Sequence, residues 1–438
     1  MKAEARAVTE PGPSDFKKRL DLRAEPIFTI DSAETKDIDD AISVTASADG
    51  WQLGVHIADV SHYVRSGSAM DKEAMQRGTS VYFADSVIPM LPRQLSNGVC
   101  SLNEGADRLA FSCIMQLDKT GAVQNFRFEK TVIRSRVKGV YSEINALLAG
   151  TADETLVEKY APVAAQLPVM AQLYQRLDAA RKARGAIDIE TDEAKLLLDE
   201  EGRCIGLEKR QRGLSERMIE EFMLLANQCA AKLARSRQLP FVYRVHESPD
   251  AEKTERLKDL LHIAGLNADF KGEAPTVAEL AAILDATRGQ PLERAVHMGV
   301  LRSMAKACYQ PAPKGHFGLA LQDYAHFTSP IRRYPDLAIH RILSDFCAGV
   351  SERELETRYA AFAAEASEAS SAAEVAAMQL ERNADSCYKA EYMAAHLNET
   401  FSGRVSGVSR HGFFVELDNT AEGFVNADTL GGEPELVE

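Results

Sequence analysis

The sequence predicts an α+β protein: a large mixed-sheet domain with surrounding helices, followed by a small all-β domain. Three observations carry this. Residues 21 to about 140 alternate turns with short runs rich in β-branched and aromatic residues, as strands do. From about residue 142 the apolar residues recur at helical spacing. Between Ser351 and Ser402 there is no glycine or proline, so that stretch reads as long helix before a final strand-like run.

The first twenty residues carry Pro11-Gly12-Pro13 and mixed charge, and read as a linker or disordered lead. Strands are expected at PIFTID, AISVTAS, WQLGVHIADVSHYV and TSVYFADSVIPML. RLAFSCIMQLD and VQNFRFEKTVIRSRV then form a hairpin around Lys119-Thr120-Gly121. Residues 142 to 184 read as helical, and AIDIE with AKLLLDEEGRCIGLEK reads as a second strand pair. SERMIEEFMLLANQCAAKLARSRQ is an amphipathic helix with Met218, Phe222, Leu225 and Cys229 facing a core, while Glu220 and Glu221 face solvent or serve structure. LPFVYRVH is a strand, and helices continue to about 309. Ser351-x-x-Glu354 and Ser371-x-x-Glu374 each have the form of a capping box, which predicts two helices. The boundaries that follow are a lead over 1–20, a large domain over 21–400 and a small one over 401–438.

A chain of 438 residues exceeds one ordinary core. Its net charge of −14 argues against a protein coated by nucleic acid over its whole surface, yet allows a basic channel inside an acidic shell. Seven scattered cysteines without C-x-x-C spacing suit neither a disulfide framework nor a zinc site, and fit a reducing cytoplasm. No signal peptide and no run of eighteen apolar residues is present, which excludes secretion and membrane insertion as readings.

The chemistry concentrates in TIDSAETKDIDDA. Ile27-Phe28-Thr29-Ile30 delivers Asp31 at a strand end, and a polar loop delivers Asp37, Asp39 and Asp40, four carboxylates within ten residues. Acids so close raise one another's pKa unless a cation neutralises them, and magnesium, which prefers oxygen ligands, is the usual partner. An EF-hand is excluded by spacing, because Lys36 stands where the sharp-turn glycine belongs. A solvated acidic loop is the plain alternative.

TIDSAETKDIDDA, HIADVSHYV, IPMLPRQLSNGVCSL and HFGLALQDYAHFTSPIRRYPDLAIHR together resemble the catalytic domain of the RNase R and RNase II (RNB) family of exoribonucleases, on the RNase R side, over roughly residues 20 to 400. The resemblance implies a magnesium-dependent, processive 3′-to-5′ hydrolysis of single-stranded RNA with a free 3′ end. It also implies nucleoside 5′-monophosphate products and two magnesium ions, with manganese as a substitute, and a cytoplasmic monomer is expected. It gives Asp31 and Asp40 to metal, Asp37 to support of the metal sphere and Asp39 to the chemistry, with Ile38 where phenylalanine or methionine is usual.

By the same resemblance Arg332 stabilises charge at the scissile phosphate, with Arg333 its alternative on the RNA, although Arg333 is also placed to pair with Asp336. Tyr82 matches the aromatic that stacks the last base; alone it reads as a core tyrosine. Glu381 falls at the place of a carboxylate that some relatives bring to the site. His326 and His340 read as structural. The run from Ser402 resembles the start of an OB-fold RNA-binding domain of ribosomal-protein type, with His411 and Phe414 as stacking residues and Asn426 where histidine is common. About half a barrel's residues remain there, so an incomplete barrel is expected. Cold-shock domains are not expected, since only the short lead precedes Asp21. The competing reading is a catalytically silent RNA-binding protein of the same fold, and a deoxyribonuclease is a third.

Overall fold

The computed structural model describes residues 1–187, 194–209 and 212–430. Helices α1 (Lys2–Ala7) and α2 (Pro13–Phe16) precede strands β1 (Leu20–Asp21), β2 (Thr29–Asp31), β3 (Asp40–Ser47) and β4 (Gly50–Ala58). Helices α3 (Val60–Tyr63) and α4 (Ala69–Arg77) lead to the ribbon β5 (Val81–Tyr82) and β6 (Val87–Ile88), then to β7 (Asp107–Asp118), β8 (Val123–Arg134) and β9 (Lys138–Val140). The main sheet runs in the order β1-β8-β7-β4-β3, antiparallel except that β1 lies parallel to β8. β2 pairs apart from it, parallel with β9. The expected β7–β8 hairpin is present. Its turn closes because Asp118 Oδ1 accepts the N–H groups of Thr120 (2.8 Å) and Ala122 (3.0 Å), while Gly121 takes φ +86°.

The lead is not disordered. Ala5 is buried, the Glu4 carboxylate accepts the N–H groups of Ala69 (3.0 Å) and Met70 (2.8 Å) at the start of α4, and Glu10 pairs with Arg108 at 2.6 Å. Arg19 meets the fully buried Asp59 at 2.7 Å, and Lys130 meets it from the other side at 2.7 Å. Mixed charge reads as a solvated tail only while its partners, distant in sequence, are out of view.

The second half holds α5 (Tyr141–Ala149), α6 (Glu154–Tyr160), α7 (Gln166–Ala183), the hairpin β10 (Ala194–Leu198) and β11 (Cys204–Lys209), and α8 (Leu214–Ser236). Residues 188–190 of the expected strand AIDIE lie outside the described residues. Met218, Phe222 and Cys229 of α8 are buried in the main core, and Leu225 packs half-buried at its edge. Strand β12 (Tyr243–Val245) pairs with β13 (Cys308–Gln310). Between them α9 (Ala251–Ile263), α10 (Val277–Thr287) and α11 (Glu293–Ser303) close a small core of their own around Leu257, Leu261, Leu280 and Val296. Helix α12 (Tyr334–Cys347) is buried from Tyr334 to Leu343, packed between the long helix that follows it and β8.

Then comes a single helix, α13 (Glu352–Ala394), of 43 residues. At 1.5 Å per residue it is roughly 65 Å long. The two helices expected from two capping boxes are one. Ser351 does cap, since its Oγ accepts Glu354 N–H and the Glu354 carboxylate accepts Ser351 N–H. Ser371 instead stays helical: its hydroxyl donates to Ser367 O at 2.9 Å and accepts the Tyr309 N–H of β13 at 2.9 Å. The same four-residue pattern thus starts a helix at one place and ties a neighbouring strand to its middle at another. Strands β14 (Gly403–Ser409), β15 (Gly412–Leu417) and β16 (Glu422–Asn426) form the antiparallel sheet that ends the described chain. Among the described residues no helix is long and apolar enough to cross a membrane.

Candidate active site

The acids converge because the loop between β2 and β3 is fixed at three points. Ile38 is driven into the core, where its N–H donates to Ser101 Oγ (3.0 Å) and its carbonyl accepts Leu102 N–H (3.0 Å). Lys138 of β9 donates its ammonium to the carbonyls of Ala33 (3.0 Å) and Thr35 (2.9 Å) and folds the loop down. The Asp39 carbonyl accepts Ala58 N–H at 2.8 Å. With Ile38 turned inward as an anchor, Asp31, Asp37, Asp39 and Asp40 all line one cleft of about 940 Å³.

Burial pushes the Asp31 carboxyl up to about 8, helped by repulsion from Asp40 and Asp37 and opposed by Lys138 and Arg332. Burial raises Asp40 to about 6, with Arg332 and Arg333 opposing. Asp39 is raised well above the usual range, again by burial first, with Arg332 and the Ile331 N–H pulling it back. The Arg332 guanidinium therefore acts on all three. Its backbone is clamped: the Arg332 carbonyl accepts Ser80 N–H (2.9 Å) and Thr79 Oγ1–H (3.1 Å), and its Nη2 donates to Ser329 Oγ at 3.1 Å. Across the loop, Asp39 Oδ1 accepts Ile331 N–H at 2.8 Å, which ties the acid cluster to the segment bearing the arginine.

Tyr82 is not a core residue. It is 38% exposed on the ribbon at the cleft wall, and its hydroxyl donates to Asp37 Oδ2 at 3.1 Å. Glu381, on α13, accepts the Tyr82 backbone N–H at 2.8 Å, so it supports that wall and stands outside the residues that line the cleft. Arg333 lines the cleft, but its guanidinium donates to Asp336 Oδ1 at 2.8 Å. His340 bonds the Phe327 carbonyl (2.7 Å) in a buried contact, and the half-buried His326 bonds the Tyr309 hydroxyl (2.8 Å). His411 and Phe414 are far along the chain, His411 in the turn between β14 and β15 and Phe414 on β15, where it is 41% exposed and its ring lies 5.0 Å from that of Phe424.

Sequence reasoning missed the opposite wall. Tyr141, Glu216, Glu220, Met223 and Asn227 line it, four of them from α8. Their spacing was available as a signal: 216, 220, 223 and 227 form a second stripe beside the apolar one. Asn227 is buried, donating to the Tyr324 hydroxyl (3.2 Å) and accepting Phe327 N–H (2.7 Å).

The donor set fits a hard cation in a particular way. Asp31 Oδ2 and Asp39 Oδ2 are buried oxygens without a hydrogen-bond partner, a costly state that a cation relieves. Yet among the described residues no group of three or more His, Cys, Asp or Glu side chains is arranged to hold an ion unaided. Magnesium tolerates that combination, because it keeps several waters and takes one or two carboxylates together with substrate phosphate.

Fold and cleft together define an α+β domain whose carboxylate groove is assembled at strand ends opposite an arginine loop, with a small antiparallel sheet carried at the end of a long helix. The chain belongs to the RNB domain family, which matches residues 19–349, and residues 395–433 match the S1 RNA binding domain. It is 43% identical over 432 residues to Ribonuclease R 1 of Lactococcus lactis and 42% identical over 421 residues to Ribonuclease R of Thermotoga maritima. These alignments cover 98% and 95% of this chain, which spans 53% and 59% of the two relatives' own length. Mycoplasma genitalium RNase R, solved with ribose-methylated single-stranded RNA, superposes with a TM-score of 0.90 at 28% identity, over 98% of this chain and 67% of that one.

Proposed function

We propose that this chain is a magnesium-dependent exoribonuclease that degrades single-stranded RNA processively from a free 3′ end. It acts as a cytoplasmic monomer and releases nucleoside 5′-monophosphates. The observation that carries the reading is that Arg332 lines the same cleft as Asp31, Asp39 and Asp40, close enough for its charge to act on all three. Asp31 and Asp40, supported by Asp37, would hold the ion or ions, with manganese as a substitute. Bound there, magnesium would lower the pKa of the attacking water and offset charge on the phosphate oxygens.

The chain's own groups supply the rest. Asp39 keeps one oxygen on Ile331 N–H and has the other to orient water and take its proton. The water oxygen bonds to phosphorus, the bond to the 3′ oxygen breaks, that oxygen leaves with a proton drawn from bulk water, and Asp39 returns the proton it took to solvent. Arg332, held by its clamped carbonyl, offsets the charge that builds on the phosphate. The exposed Tyr82 ring offers a stacking face that accepts any base, and Phe414 and His411 extend the grip at the far end.

The test is to incubate matched single-stranded RNA and DNA oligonucleotides with the protein and magnesium and identify the products. Nucleoside 5′-monophosphates from the RNA are expected. RNA that is bound but never shortened would instead establish the silent RNA-binding reading.

A further inference from the structure

Two arginines stand side by side above the acids, and the chain treats them differently. Asp336 lies in the first turn of α12, fully buried, and its Oδ1 accepts both the Ser329 N–H (2.7 Å) and the Arg333 Nη2–H (2.8 Å). Arg333 is thereby held against the helix start. Opposite charge from Asp336, against the cost of burial, keeps it firmly ionised.

Ser329 is the pivot of the loop. Its carbonyl accepts the N–H of Arg332 (3.3 Å) and of Arg333 (2.9 Å), and its hydroxyl accepts from Arg332 Nη2 (3.1 Å). One carboxylate thus withdraws one guanidinium and, through Ser329, sets the bearing of the other.

We infer that Asp336 is a positioning residue that sorts this arginine pair, removing Arg333 from phosphate binding so that Arg332 alone presents its charge to the substrate. The inference rests on the nuclease reading for its effect on rate, but not for its effect on binding. Were both guanidiniums free, a phosphate would have two competing seats a residue apart, and only one would align it with the acids. Holding the reacting phosphate in a single register is worth more to the chemical step than a second attractive charge.

Salt dependence of affinity counts the cations that meet phosphate, at about 0.7 in the slope of log Kd against log salt per contact on single strands. Affinity for a short single-stranded RNA is measured in EDTA across a salt series, and single-turnover cleavage separately in magnesium. Asp336→Asn keeps an acceptor for Ser329 N–H but removes the negative charge that draws Arg333 to the helix start. Its slope is expected to steepen by about 0.7 while cleavage falls at least tenfold. The paired variant Asp336→Asn with Arg333→Met removes both charges together, so no buried charge is left alone, and its slope should return to that of the wild type.

A merely structural Asp336 would weaken binding and rate without steepening the slope. The proposal is overturned if Asp336→Asn keeps the wild-type slope. It is equally overturned if the paired variant falls below wild type by about 0.7, which would make Arg333 a phosphate contact in the native protein. Failure of the nuclease reading shows separately, as absence of product from the wild type, while the slopes still decide the sorting.

Discussion

At the scale of single residues, the acid cluster depends on Ile38, whose anchoring to Ser101 and Leu102 turns the carboxylates on either side of it together. Asp39→Asn preserves the acceptor for Ile331 N–H and removes one charge. RNA affinity should hold or rise, while single-turnover cleavage should fall at least a hundredfold, about 3 kcal/mol of lost transition-state stabilisation. Near wild-type cleavage would move the chemistry elsewhere. The raised carboxylates also set a pH dependence. Asp31, up to about 8, and Asp40, up to about 6, bind protons more readily folded than unfolded, so the ion-free protein loses stability as pH rises from the unfolded value near 4 through those values. His326 and His340, held below their usual range by burial, act in the opposite sense, but neither lines the cleft that would receive the ion. The rise in Tm on adding magnesium should therefore be larger at pH 8 than at pH 6, where the ion must displace protons. An equal rise at both would show that these carboxylates do not receive it.

At the scale of elements, local pattern was reliable where a hydrogen bond closes within a few residues. The β7–β8 turn and the Ser351 cap are of this kind. Pattern failed where a distant strand claims the group: Ser371 has a capping-box spacing, but β13 takes its hydroxyl and the helix runs on. Glu381 is the same situation near the cleft. If its role is to hold the Tyr82 N–H, Glu381→Gln, whose amide oxygen still accepts, should cleave within about twofold of wild type, while Glu381→Ala should lose several-fold as the ribbon loosens. Equal losses in the two variants, read by initial rate on one RNA substrate, would mean that its charge takes part.

For the whole molecule, the α+β layout followed from the change of apolar period. The far wall of the cleft did not, because Tyr141 and α8 lie far along the chain from the acids they face. Net charge misleads at this scale too. Although the protein carries −14 and eight carboxylates line the cleft, Lys36, Arg93 and Arg332 stand among them as the cations a phosphate would meet. Log Kd for single-stranded RNA should therefore rise with log salt, by about 0.7 for each phosphate contact. A Kd that ignores salt would count against a charged path.

The packed lead bears on how the protein can be taken apart. A fragment begun at residue 21, where composition suggests the domain starts, would lack Arg19 and leave Asp59 buried with Lys130 as its one remaining ion-pair partner among the described residues. It would also strip the Glu4 carboxylate from the first turn of α4, whose far end leads through Thr79 and Ser80 to the carbonyl of Arg332. Trimming or tagging at that end is thus an operation on the arginine loop, carried out from the opposite end of a helix.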